Sequence, residues 1–144
     1  MKCTLKPINI GEKIETDNKY CKMVLENQDE YYEKVGFTPP WISYLAFLDS
    51  HVVGVCSFKG TPKKQRVEIA YFTFPENEGK GYGKFVCMSL VEIAREFDPD
   101  IVITARTKPE FNASTSIFKK NGFEIRDVVM DEDDGEVWEW VNRS

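Results

Sequence analysis

The stretch Phe72-Thr73-Phe74-Pro75-Glu76-Asn77-Glu78-Gly79-Lys80-Gly81-Tyr82-Gly83-Lys84 limits what this chain can fold into more than any other part of it. A strand-like run from Val67 to Phe74 stops at Pro75, and the chain then turns through Gly79, Gly81 and Gly83. A helix follows from Lys84 to Phe97, with Val86, Leu90, Ile93, Ala94 and Phe97 on one face. Strand, glycine turn and helix in immediate succession are the building unit of folds that pack helices on a sheet. Glycine also lets backbone N–H groups approach an oxyanion. The free amides and positive dipole end of the following helix favour phosphate at the same place. The spacing fits neither G-x-G-x-x-G nor G-x-x-x-x-G-K-[ST], which weakens nicotinamide and P-loop readings. A plain strand-to-helix turn is the competing interpretation.

The rest of the chain fits a mixed sheet with helices on its faces, in one domain over 1–144. Leu5–Ile8 forms a short first strand. Asp17–Val35, with Tyr20, Met23, Val24, Tyr31, Tyr32 and Val35, predicts one or two amphipathic helices broken near Asn27 and ended by Gly36 and Pro39-Pro40. Ser43–Leu48 and His51–Lys59 form a hairpin across Asp49-Ser50, and Gly60–Arg66 is an exposed connection. Ile101–Arg106 is a strand, Asn112–Asn121 a helix capped by Gly122, and Phe123–Val129 and Val137–Val141 strands around an acidic turn.

Composition removes whole classes of chemistry. There is no run of about 18 apolar residues to span a membrane. Met1–Leu5 has no apolar stretch of the secretory kind, so a cytoplasmic protein with reduced cysteines is expected. A net charge of −5 has the wrong sign for a nucleic-acid partner. The four cysteines, Cys3, Cys21, Cys56 and Cys87, make no C-x-x-C pair, and no metal site is expected. Cys56 and Cys87 sit on apolar faces and read as buried thiols. The single histidine, His51, lies at a polar hairpin break, so neither a Ser-His-Asp triad nor a Cys-His pair is available and no covalent acyl-enzyme is expected.

At this point the chain resembles the GNAT superfamily of N-acetyltransferases. Pro75–Gly83 is similar to that family's pyrophosphate loop, and Asn112-Ala113-Ser114-Thr115 with Lys120-Asn121-Gly122-Phe123 to its second conserved region. Leu5-Lys6-Pro7 is similar to its first strand. The resemblance implies an α/β mixed sheet splayed between its fourth and fifth strands, Val67–Phe74 and Ile101–Arg106. It implies acetyl-CoA as co-substrate, with pantetheine along Thr73 and Phe74 and pyrophosphate on the amides of Glu78, Gly79, Lys80, Gly81, Tyr82, Gly83 and Lys84. Asn112 and Ser114 match positions that face the CoA arm. The partner is then an amine acceptor, on a small molecule or peptide, and a homodimer is left open. Two departures stand out. Glu78 occupies a place usually held by Arg or Gln, and Phe118 one usually held by a tyrosine that protonates the leaving thiolate. They keep a second reading in play, a catalytically weakened domain that binds CoA or a protein.

A thiolate leaves at modest cost because its conjugate acid has a pKa near ~8.5. Tyr71, Tyr82 and Tyr44 are the substitutes for the absent tyrosine. The candidate general base is Glu68, the one acid in Val67–Phe72, which alternation places on one strand face with Ala70 and Phe72. A carboxylate among apolar residues is a candidate for a raised pKa and for base work through water. Asp127–Glu136 holds six acids in ten residues; it reads as solvated charge or as the border of a pocket for a cationic amine. Trp138 and Trp140 fall on one side of the last strand, as core or as a lid over the acceptor cleft.

Overall fold

The computed structural model describes residues 3–143; Met1 and Lys2, the start of the stretch read for a leader, and Ser144 lie outside the described residues. Among the described residues, seven strands form one sheet: β1 (Cys3–Pro7), β2 (Ser43–Leu48), β3 (His51–Phe58), β4 (Arg66–Thr73), β5 (Val102–Thr107), β6 (Glu124–Asp131) and β7 (Gly135–Asn142). Their spatial order is β1-β2-β3-β4-β5-β7-β6. Three helices accompany them: α1 (Lys19–Val35), α2 (Tyr82–Phe97) and α3 (Ala113–Lys120). This is the mixed α/β arrangement expected.

One pairing is parallel, β4 with β5, and it is short. Arg66, Val67 and Glu68 register against Val102, Ile103 and Thr104, and there the ladder stops. Above that point β4 pairs only with β3, Ala70 and Thr73 facing Ser57 and Gly54, while Ala105–Thr107 of β5 pair only with Trp138–Trp140 of β7. The sheet splays between its fourth and fifth strands. The backbone edge from Ile69 to Thr73 loses a sheet partner on that side, an opening that another hydrogen-bonding group can fill.

Helix α1 is continuous where a break near Asn27 was expected. The Asn27 amide donates to the Met23 carbonyl one turn back (2.8 Å), so the side chain stays on the exposed face without competing for the ladder. The inner face carries most of the apolar and aromatic set read from the sequence, Tyr32 buried and Tyr20, Val24 and Tyr31 packed against the cores, but it also buries Cys21 and Gln28 and leaves Met23 exposed. Polar contacts anchor this face. Gln28 donates to the Ser43 hydroxyl (2.9 Å) and the Tyr32 hydroxyl to the Ile8 carbonyl (2.6 Å). Asn18 starts the helix by accepting from the amides of Tyr20 and Cys21, both at 3.0 Å.

Helix α2 buries Gly83, Val86, Cys87, Leu90 and Ala94. Phe97 was assigned to that face but sits on the last turn, 64% exposed, its ring T-shaped against that of Trp41 (ring centroids 5.2 Å). Helix α3 opens on a reciprocal cap, in which Asn112 Oδ1 accepts from the Thr115 amide (3.1 Å) and Thr115 Oγ1 from the Asn112 amide (2.8 Å). Gly122 follows at φ +84°. The main core joins Phe58, Ile69, Leu90, Ile103, Phe118 and Trp140, and a smaller one beneath α1 holds Ile8, Cys21, Leu45 and Phe74.

Strand β3 approaches β4 closely because position 54 has no side chain. A Cβ there would lie 2.5 Å from the Phe72 carbonyl oxygen and 3.2 Å from Thr73 Cα. Backbone cannot yield as a flexible side chain does, so Gly54→Val should destabilise the fold by about 1–3 kcal/mol, as overpacking does elsewhere. The check is urea unfolding, and a variant with an unchanged midpoint would show that β3 and β4 have slack.

Candidate functional site

Where β4 and β5 part, the surface opens into two adjoining cavities. The larger, of about 790 Å³, is bounded by Tyr71–Thr73 on β4, by the glycine loop, and by one face of α3 along its whole length. The smaller, about 360 Å³, lies between Ile69–Tyr71 and Arg106–Lys108 and is closed by Phe118. Tyr71, Asn112 and Ser114 line both.

The glycine loop is shaped by backbone conformation. Pro75–Asn77 form one 3-10 turn, and Gly79 and Gly81 take φ values of +75° and +83°. Gly81 sits at the N-cap of α2, where no side chain satisfies the first amides. Gly83 packs closely: a Cβ would come within 2.8 Å of Ile117 Cδ1 and 3.4 Å of Tyr71 Cε2, so a side chain there would make the tip of Ile117 turn aside. The loop is moored to α1, Asn18 donating to the Glu76 carboxylate at 2.6 Å.

The predicted cofactor residues divide into three groups. Thr73, Glu78, Gly79, Gly81, Tyr82, Gly83, Asn112 and Ser114 line the larger cavity. Lys80 and Lys84 are exposed on the loop and first helical turn but do not line it. Phe74 is fully buried in the smaller core, its amide donating to the Val53 carbonyl (2.9 Å) and its carbonyl accepting from Asn77 (2.8 Å). Both of its backbone groups are therefore committed. The Glu78 amide is used too, donating to the Pro75 carbonyl at 3.3 Å, so the free amides begin at Gly79. Sequence reasoning did not single out Lys120 or Ser116. They lie on the α3 face that carries Asn112, at the helical spacing of i, i+4 and i+8, and both line the larger cavity. That spacing was the available signal.

Glu68 is the last β4 residue paired to β5. It is not isolated among apolar neighbours, the premise on which a raised pKa was expected. Lys59 Nζ lies 3.1 Å from one carboxylate oxygen and Arg106 Nε 3.7 Å from the other. Arg106 reaches further, to Asp131 at 3.1 Å and Glu139 at 3.6 Å, while Arg66 meets Glu139 at 3.4 Å. Burial alone would lower the Arg106 pKa, but the hydrogen bond to Asp131 and the charges of Glu68, Glu139 and Asp131 outweigh it and raise the value. Exposed pairs of this kind are worth about 0–1 kcal/mol each, so their chief effect is to fix where the charges stand. Glu68 and Arg106 line a third depression of about 400 Å³ together with Lys59 and the acidic hairpin tip, Asp131–Asp134.

Aromatic residues form the wall behind the opening. Phe118 lies against Tyr71 (5.5 Å), Phe123 (5.2 Å) and Trp140 (6.1 Å). Trp140 is core, its indole donating to Thr107 Oγ1 (2.9 Å), whereas Trp138 is half-buried and packs on exposed Phe111 (4.8 Å). Cys56 and Cys87 are buried, and burial drives the Cys87 thiol up to about 12, far from a nucleophilic thiolate at neutral pH. His51 is exposed in the β2–β3 hairpin, opposite Leu48.

The amide of Asp133, then the Arg106 guanidinium, hold the Asp131 carboxyl below its ordinary value. A depressed folded-state pKa contributes stability that is present above the unfolded value, about 3.9, and is lost as pH falls through the folded one. Arg106→Gln should therefore move the Asp131 carboxyl titration upward toward that ordinary value. Carboxyl-carbon NMR measures it directly, and an unmoved titration would mean that the hairpin amides alone set the shift.

A family model described as an Acetyltransferase (GNAT) domain matches residues 12–124. No curated protein matches the sequence at a significant level. Among solved structures, the IAA acetyltransferase from Bacillus cereus superposes with a TM-score of 0.71 at 17% identity, covering 99% of this chain and 100% of that one. A Bacillus subtilis acetyltransferase in complex with CoA gives 0.67 at 18% identity, covering 98% and 99%. Aminoglycoside acetyltransferase AAC(6')-Ib in complex with coenzyme A gives 0.61 at 21% identity over 70% of this chain, which spans 65% of the length of that protein. At such identities the likeness is one of fold.

Proposed function

The chain belongs to the GNAT acetyltransferase family, and from that membership we propose that it transfers an acetyl group from acetyl-CoA to a primary amine of a small molecule or peptide. The observation that carries this reading is the larger cavity at the parting of β4 and β5. It combines an unpaired strand edge, a run of glycine amides at an uncapped helix start, and a lysine, Lys120. Those are the partners an amide-bearing arm and a pyrophosphate need. The complexes of the Bacillus subtilis relative and of AAC(6')-Ib with CoA support the same reading.

In this reading pantetheine lies along β4 at Thr73, and pyrophosphate rests on the amides from Gly79 to Lys84. Lys80, Lys84 and Lys120 offset its charge, and Asn112 and Ser114 face the arm. Glu78 contributes no amide, and its carboxylate is tolerable only if turned outward. Like charges at about 4 Å repel by about 1 kcal/mol even in bulk water. The thioester carbonyl then reaches the smaller cavity, which Arg106 lines; Arg106 also lines the neighbouring depression that holds Glu68.

The amine attacks the carbonyl carbon directly. Its nitrogen loses a proton through water to Glu68, and the C–S bond breaks with its electron pair going to sulfur. Lys59 and Arg106 fix the Glu68 carboxylate at the parting point. The acids of the hairpin tip favour an acceptor that arrives as a cation; it gives one proton to bulk water to become the neutral nucleophile, and the second is the one that passes to Glu68.

Gly81→Asp places a carboxylate among the amides and should abolish acetyl-CoA binding while leaving the circular dichroism spectrum unchanged. Glu78→Arg should bind as well or more tightly. Calorimetry decides, and full affinity in Gly81→Asp would remove the loop from the cofactor site. Glu68→Gln should cut the transfer rate by about 10²–10⁴ at constant cofactor affinity and erase the acidic limb of the pH–rate profile. Thiol release from acetyl-CoA over a panel of amines supplies the assay. Binding without release from any of them would assign a binding domain instead.

A further inference from the structure

We infer that the Arg106 guanidinium, through its Nη2 edge, donates to the thioester carbonyl oxygen and stabilises the oxyanion that forms there as the amine attacks; the inference rests on the acetyl-CoA reading above. Attack places a negative charge on that oxygen, and a fixed donor already facing it lowers the barrier most. Arg106 is the residue that the smaller cavity and the acidic depression share. On the proposed reading it stands between the carbonyl and the base.

Its place follows from the strand register. The β4–β5 ladder ends at Glu68 and Thr104, and alternation puts Arg106, two residues further on, on the same sheet face. Continued by two residues, that register sets Ala70 opposite Arg106, and both line the smaller cavity. A methyl group is all that β4 presents there, so the space before the guanidinium stays open. Arg106 is exposed to it.

A guanidinium has five N–H donors in a planar fork. Nη1 donates to Asp131 at 3.1 Å, and Nε lies at ion-pair range from Glu68 (3.7 Å) and Glu139 (3.6 Å). Nη2 makes no hydrogen bond among the described residues, and it is not sealed from solvent. Three carboxylates therefore hold the group in place and leave one edge of the fork unspent.

The other polar groups of the smaller cavity are committed, neutral or unanchored. Thr107 donates to the Lys108 carbonyl and accepts from the Trp140 indole, and the Asn112 amide donates to Glu110 (3.1 Å). The Tyr71 hydroxyl is sealed from solvent. Ser114 and the unpaired amides of the β4 edge are neutral donors. Lys108 lines the cavity and is charged, but its ammonium makes no ion pair among the described residues and has to be ordered during the reaction. Arg106 alone combines charge with anchorage.

The step balances without a proton from arginine. The amine lone pair forms the C–N bond, the carbonyl π pair moves to oxygen, and the Nη2 hydrogens bond to that oxygen. The amine proton leaves through water to Glu68. On collapse the oxygen pair re-forms the C=O bond, the C–S bond breaks with its electrons on sulfur, and the thiolate takes a proton from solvent. Arg106, whose neighbours hold its pKa above the ordinary arginine value, keeps all its protons.

The test needs no acceptor. Acetyl-CoA labelled with carbon-13 at the carbonyl is bound to the full chain, and isotope-edited infrared difference isolates the carbonyl stretch. A donor on the oxygen weakens the C=O bond, so the stretch in the unmutated protein should lie below that of free acetyl-CoA. Arg106→Gln should return it most of the way, at unchanged acetyl-CoA affinity. Arg106→Lys keeps the charge that the three carboxylates need but has no fork, and should lose the shift as well. Lys108→Gln should keep it. With an amine that the thiol-release panel finds active, Arg106→Gln should also lower kcat by about 10²–10³ at constant KM for acetyl-CoA. An unshifted stretch in the unmutated protein, a shift that persists in both Arg106 variants, or one that vanishes in Lys108→Gln would overturn the inference while leaving the cofactor reading intact. An unmutated protein that binds no acetyl-CoA at all would overturn both, and calorimetry separates the two failures.

Discussion

Everything distinctive about this molecule depends on a ladder that stops after three residue pairs. β4 and β5 are joined at Arg66–Val102, Val67–Ile103 and Glu68–Thr104, then diverge while each keeps its other neighbour. Buried backbone groups must be satisfied, so a sheet does not ordinarily leave such an edge unpaired. Here the unpaired stretch borders open cavities, where water or a ligand can complete it. The parting point also brings Glu68 and Arg106 together from strands that no longer pair above them.

A split sheet needs a brace, and α3 provides it. Phe118 touches Tyr71 of β4 on one side and Trp140 of β7 on the other, so one ring bears on both halves. It is 4% exposed, enclosed by the rings of Tyr71, Phe123 and Trp140. Gly83 belongs to the same arrangement, because a side chain there would meet the tip of Ile117 between α2 and α3.

The fold was largely legible in the sequence because its signals are local. Alternation marked the strands, Asn112 and Gly122 bounded α3, and three glycines after a proline located the loop. Where the reading failed, the deciding interaction was not local. The continuity of α1 depends on an asparagine turned outward and on Gln28 and Tyr32 reaching Ser43 and Ile8, none of which periodicity reveals. Phe74 looked like a backbone partner by position, yet its amide and carbonyl are consumed by Val53 and Asn77. Glu68 read as isolated because its neighbours in sequence are apolar. Lys59 and Arg106, which flank it, come from β4's approach loop and from β5, and only the folded register unites them.

Charge is distributed along the opening in a way that net charge conceals. A chain at −5 appears ill suited to a polyanionic ligand. Yet Lys120 lines the cavity at the glycine-loop side, and Lys80 and Lys84 stand exposed on the loop and the helix start next to it. Asp131–Asp134 crowd the depression beyond Glu68. Fields from exposed charges fade over about 8–10 Å at physiological ionic strength, so each region acts on what is near it and not on the whole cleft. On the proposed reading a phosphate group and an ammonium group would each meet the sign it needs, without a globally basic or acidic surface. Arg106 stands between them. Anchored by Asp131 and Glu139 as well as Glu68, it offsets the repulsion among the carboxylates at the parting point, and so lets an acidic depression sit directly beside the smaller cavity.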